Sequence, residues 1–143
     1  MIRLARNPVV VRQFETATAE QIVRIFRDAV NVKRAGLLAA GTDVEVTGYG
    51  VVALQGRPDD QTLIQGLAFG AQLRLGLGDS ATQMPFLDRA NVLHLLTPVQ
   101  MIEVWRKGAA FVSVVYRRSW VIKTMDPILT DLDEQTLWSE VIK

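Results

Sequence analysis

The chain has no cysteine, one histidine and no excess of charge of either sign, its formal net charge being +1. Without cysteine there is no disulfide framework and no thiolate metal site, and the redox compartment stays open. His94 alone cannot assemble a zinc site without several carboxylates beside it. Ser80 and Ser113 lie in no nucleophile elbow, so no base, acid and nucleophile are brought together by any local motif. A balanced charge gives no global attraction for nucleic acid. No apolar run approaches the roughly 20 residues of a bilayer span, and Met1–Arg6 lacks the apolar centre of a secretory signal. These absences predict a soluble, cytoplasmically made protein with no membrane span, no cofactor, no metal and no enzymatic activity.

What is present is a chain of 143 residues, 49% hydrophobic, which is one ordinary domain with a real core. Its charges are segregated. Residues 1–14 hold Arg3, Arg6 and Arg12 with no acid, a local charge of +3. Residues 98–123 hold Arg106, Lys107, Arg117, Arg118 and Lys123 against Glu103, giving +4. Residues 124–143 hold Asp126, Asp131, Asp133, Glu134 and Glu140 against Lys143, giving −4.

Local signals place the elements. Pro8 to Phe14 is β-branched and basic and reads as extended. Thr18 and Gln21 form a capping box, and Ile22, Ile25, Phe26, Ala29 and Val30 recur at helical spacing, so a helix is expected from Ala19 to Ala40, ended by Gly41. Asp43–Val46 and Val51–Leu54 flank Thr47–Gly50 as a β-hairpin. Pro58, Asp59 and Asp60 open a second helix with Leu63, Ile64, Leu67, Ala71 and Leu75 as its apolar stripe and Gly78 as its end. Thr82–Leu87 and Val92–Leu96 surround Asp88–Asn91 as a second hairpin, in which Val92, Leu93, Leu95 and Leu96 suit a buried strand and His94 a half-exposed one. Thr97, Pro98 and Gln100 then start a third helix running to Lys123, whose apolar face includes Met101, Ile102, Trp105, Val112, Val115, Tyr116 and Trp120. Asp126 and Pro127 break it, and Leu129, Leu132, Leu137, Trp138 and Val141 suggest a short terminal helix.

The expected fold is therefore α+β: an N-terminal arm (1–17), a core domain (18–123) ordered helix, hairpin, helix, hairpin, long helix, and an acidic C-terminal segment (124–143). Trp105, Ile102, Val112, Val115, Ile25, Phe26 and Leu67 are expected in one core. Gly66, Gly70, Gly76 and Gly78 lie inside or at the end of a helical pattern, not between a strand and a helix start, and read as small residues for close helix packing rather than a phosphate loop. Asp59 and Asp60 read as helix-start acids rather than cation ligands. On the third helix Arg106 and Arg117 share a face and Lys107 and Arg118 the adjacent one, but the aromatic residues are assigned to the core side, leaving no base-stacking platform.

The hairpin with Gly48 and Gly50, the helix start at Asp59-Asp60-Gln61, then Phe86-Leu87-Asp88, Asn91 and Leu96-Thr97-Pro98-Val99-Gln100 opening the last long helix together resemble an uncharacterised domain family of phage and prophage tail and tail-fibre proteins. The resemblance spans about residues 28 to 122. That family is expected to carry a tryptophan where the second hairpin begins, and Phe86 stands there instead. The resemblance implies a virion structural part in the tail, with other tail proteins or further copies of itself as partners. An assembly chaperone, or a small nucleic-acid-binding regulator using the third helix, are the alternatives. Contacts between subunits are expected from the arm (Arg3, Arg6, Arg12), the basic helix (Arg106, Lys107, Arg117, Arg118) and the terminal segment (Asp131, Asp133, Glu134, Trp138), with charge setting the register.

Overall fold

Thr18 and Gln21 close the first helix reciprocally, the Thr18 amide donating to Gln21 Oε1 at 2.8 Å and the Gln21 amide to Thr18 Oγ1 at 3.3 Å. This is the first described feature of the computed structural model, which describes residues 18–125, 137–139 and 141. Helix α1 (Ala19–Ala40) ends at Gly41, whose φ of +73° is the left-handed turn a helix exit needs. Strands β1 (Thr42–Val46) and β2 (Gly50–Leu54) pair antiparallel. Helix α2 (Pro58–Gly76) starts where Asp60 Oδ2 accepts the Arg57 amide at 3.2 Å, and it is closed by the Asp79 amide reaching Arg74 O at 2.9 Å past Gly78 in the left-handed region.

Strands β3 (Met84–Leu87) and β4 (Leu93–Leu96) form a second, separate antiparallel pair. The strand expected from Thr82 begins two residues later, because Asp79 Oδ1 accepts the amides of Ala81 and Thr82 and holds that stretch in a turn. Helix α3 (Pro98–Lys123) opens on the expected box, Thr97 amide to Gln100 Oε1 at 3.0 Å and Gln100 amide to Thr97 Oγ1 at 3.4 Å.

The chain is α+β, with three helices and two small antiparallel sheets among the described residues. Its described residues divide into two compact units: those of Met1–Gly36 with Val114–Lys143, and Leu37–Ser113. In the second unit the inner faces of both hairpins (Val44, Val46, Val52, Leu54; Met84, Phe86, Leu96) meet Ile64 and Ala71 of α2 and Met101 and Val104 of α3. In the first, Phe26, Val30, Val115, Ile122, Leu137 and Trp138 are buried.

Three expectations are corrected here. The single core does not exist as drawn, because α1 and α3 each contribute to both units: Ile25, Phe26 and Val115 belong to one, Leu67, Ile102 and Val112 to the other. Trp105 is 38% exposed. The buried line of α3 keeps Met101 and Val115 from the expected face and adds Val104, Ser119 and Ile122, with Gly108 at a close approach where an added Cβ would sit 3.2 Å from Leu54 Cδ1. Trp105 and Trp120 each lie one position off that line, since small residues admit the neighbouring element and bulky ones do not. At β4 Leu96 is buried as expected, but it shares the inward face with His94, while Leu93, Leu95 and the preceding Val92 are exposed.

Candidate functional site

A chain of three side chains fastens the two hairpins of the second unit. Gly48 takes φ +70° in the first hairpin's turn, and the Tyr49 amide donates to Val46 O. That turn carries the Tyr49 hydroxyl to 2.7 Å from His94 Nδ1, with the two rings edge-on at 5.5 Å. His94 Nε2 lies 2.6 Å from Asp88 Oδ2, and Asp88 Oδ1 accepts the amides of Ala90 (2.8 Å) and Val92 (3.0 Å). Asn91, at φ 59°, completes this second turn. His94 and Asp88 are both buried, so the half-exposed histidine expected from sequence is replaced by one with a partner on each ring nitrogen.

An ionised carboxylate only accepts, so Nε2 carries a proton and donates to Asp88; in the neutral ring the Tyr49 hydroxyl donates to Nδ1. Burial pushes the Asp88 carboxyl up, but the hydrogen bonds from His94 and from the amides of Val92 and Ala90 outweigh it and hold the group below its ordinary range. Hydroxyl, imidazole and carboxylate in series is the order that activates nucleophiles, and it equally locks a turn.

A second buried acid was not singled out in the sequence. Glu103 accepts the Thr47 amide (3.0 Å) and hydroxyl (2.9 Å) and pairs with Lys107 at 2.9 Å. Its carboxyl is held low first by the Lys107 hydrogen bond and then by the Thr47 amide. Both carboxyls lend stability that is complete above about pH 4, where they titrate in the unfolded chain, and lost as pH falls through their lower folded-state values. Urea midpoints should therefore be flat near neutrality and fall in acid, and Asp88→Asn should flatten part of that acid limb. An unchanged acid limb in the variant would contradict the assignment.

A cavity of about 220 Å³ adjoins Asp88 and is lined also by Gln55, Arg57, Asp60, Phe86 and Arg89. Its two arginines donate to protein acceptors, Arg57 to Asp60 and Gln55, Arg89 to Asp43 and to the carbonyls of Ala40 and Leu54.

The residues expected at subunit contacts separate. Arg106 and Arg117 are exposed. Lys107 is an internal clasp, reaching Glu103 and the Glu45 carbonyl, and Arg118 donates to the Leu137 carbonyl. Trp138 is fully buried within its own chain, which corrects its assignment to an interface. A helical charge period reports a face and not which long side chains fold back on the backbone. Arg3, Arg6, Arg12, Asp131, Asp133 and Glu134 lie outside the described residues, as do the extended arm and most of the expected terminal helix.

Two apolar surfaces of the second unit face outward. On α2, Ile64, Ala68 and Ala71 are buried, while the opposite side presents Phe69 (66% exposed), Leu73 and Leu77 (87%). Gly66 and Gly76 on this side have open space where a Cβ would be, so among the described residues their expected role in close helix packing is not met. The outer side of the second hairpin pairs Pro85 with Leu95 and Leu87 with Leu93, all exposed.

Among the described residues no helix is long and apolar enough to cross a membrane, and no group of His, Cys, Asp or Glu is assembled that could hold a metal ion. No curated protein and no solved structure matches the chain. The family model described as Domain of unknown function (DUF4376) matches residues 16–136, most of the sequence, and the chain belongs to that family.

Proposed function

We propose that this protein is a structural component of a bacteriophage tail, a tip, fibre or connector subunit, that acts through contacts between copies of itself and with other tail proteins and catalyses no reaction. The tail assignment is supported by the sequence resemblance. The residues that carry it are framework residues here: Gly48 and Asn91 make turns, Thr97 and Gln100 cap α3, Phe86 is core and Asp88 closes a turn. The observation that carries assembly is the outward side of α2. A helix apolar on both sides is normally covered on both sides, and Phe69, Leu73 and Leu77 are exposed together, the adjoining Arg74 being already paired with Asp79 at 3.2 Å.

A second copy is the occupant that fits, because an apolar stripe whose adjoining arginine is already neutralised by Asp79 is self-complementary across a two-fold axis. Sedimentation velocity over a concentration series should show self-association. Phe69→Glu should weaken it at least about 30-fold, the effect of losing a central aromatic contact, with the circular dichroism spectrum of the folded chain unchanged. A wild-type chain that stays monomeric at high concentration would remove this reading. Mass spectrometry of purified phage particles tests the tail assignment: presence supports a structural subunit, and absence with reversible binding to a tail protein would make it an assembly chaperone instead.

A further inference from the structure

The first unit carries a patch in which cations and an exposed aromatic converge. Arg27 and Arg34 lie seven residues apart on α1, about two turns, and so share a face. On α3, Tyr116, Trp120 and Lys123 share a face by the same spacing. The two rows meet: the Arg34 guanidinium lies 4.5 Å over the Tyr116 ring and donates to Ser119 Oγ at 3.2 Å. Tyr116 and Trp120 are ring neighbours at 5.9 Å, and Trp120 is 57% exposed. The Lys123 ammonium is held below its ordinary range, by burial first and then by Arg34 and Arg27, with Asp28 acting the other way. Arg27 and Arg34 on α1 and Lys123 on α3 thus border this surface, with Asp28 the acid among them.

The objection to nucleic acid at this helix was that its aromatics point to the core, and the exposure of Trp120 removes it. We propose that this patch binds single-stranded nucleic acid, with phosphates on Arg27, Arg34 and Lys123 and a base stacked on Trp120. A duplex offers phosphates but no unstacked base to that indole. A bilayer surface would call for a broad apolar face, whereas the exposed apolar side chains on this stretch of α3 are Trp120 and Val121. The proposal is independent of the assembly reading, since its residues belong to the unit that does not contain α2.

The test is fluorescence anisotropy of the full chain with a labelled oligothymidylate of about 15 nucleotides, a length near the upper site size for such platforms. Binding at low salt is expected, with a log–log salt slope of about −2 for three phosphate contacts. Trp120→Ala should weaken it about tenfold. Lys123→Ala should reduce the slope's magnitude by about 0.7, while Arg106→Ala leaves both affinity and slope unchanged. Circular dichroism checks that the variants fold, which surface positions such as Trp120 make straightforward. No binding at low salt, equal affinity for a duplex of the same length or for phosphatidylglycerol vesicles, or an unaffected Trp120→Ala would each overturn the proposal.

Discussion

Gly41→Ala should destabilise the protein by about 4 kcal/mol or more, an effect of the size reserved for strain combined with backbone overlap. Gly41 holds φ +73°, and a Cβ built there would lie 1.8 Å from the Leu54 carbonyl oxygen and 2.8 Å from its carbon. Those are backbone atoms of β2, and Leu54 is paired with Thr42 across the hairpin and buried beneath it. A flexible side chain would swing aside; a paired strand has to be displaced. Gly36→Ala provides the opposite sign. Gly36 is helical, with open space around it, so alanine there should stabilise α1 by up to about 1 kcal/mol. Urea titration of both variants checks the pair, and a Gly41→Ala loss under about 1 kcal/mol would contradict the close approach.

Trp138→Ala should cost about 3–5 kcal/mol, as for a fully buried tryptophan truncated to a methyl group. The residue has no exposed surface, and Leu137 beside it is buried with its carbonyl taken by Arg118. Deleting residues 126–143 should therefore unfold or severely loosen the first unit. Trp105→Ala, at a half-exposed position, should lose far less than Trp138→Ala. A truncated chain with an unchanged denaturation midpoint would return Trp138 to the subunit-contact role expected from its sequence.

The element boundaries were legible because they rest on interactions that span three or four residues. Thr18 with Gln21 and Thr97 with Gln100 begin helices, Gly41 and Gly78 end them, and Gly48 turns the first hairpin, all by local hydrogen bonds or a positive φ that neighbouring residues cannot override. Burial was not legible in the same way. Alternation along Leu93–Leu96 says that two side chains share a face but not which face meets the core; that choice fell to His94, because Tyr49 and Asp88, 45 and 6 residues away, satisfy both its nitrogens. Periodicity along α3 likewise offered a stripe with Met101, Trp105, Val115 and Trp120, and the fold buried Met101 and Val115 but left both tryptophans off the buried line, which passes through Gly108 and Ser119. Lys107 and Arg118 read as surface charge until Glu45 and Leu137 supply carbonyls for them. The sequence by itself determined where the three helices begin and end and, to within one or two residues, where the strands do, since those free energies are local. Only the tertiary structure decided which side of each element is inside, because burial and pairing depend on partners that the chain brings together from far apart.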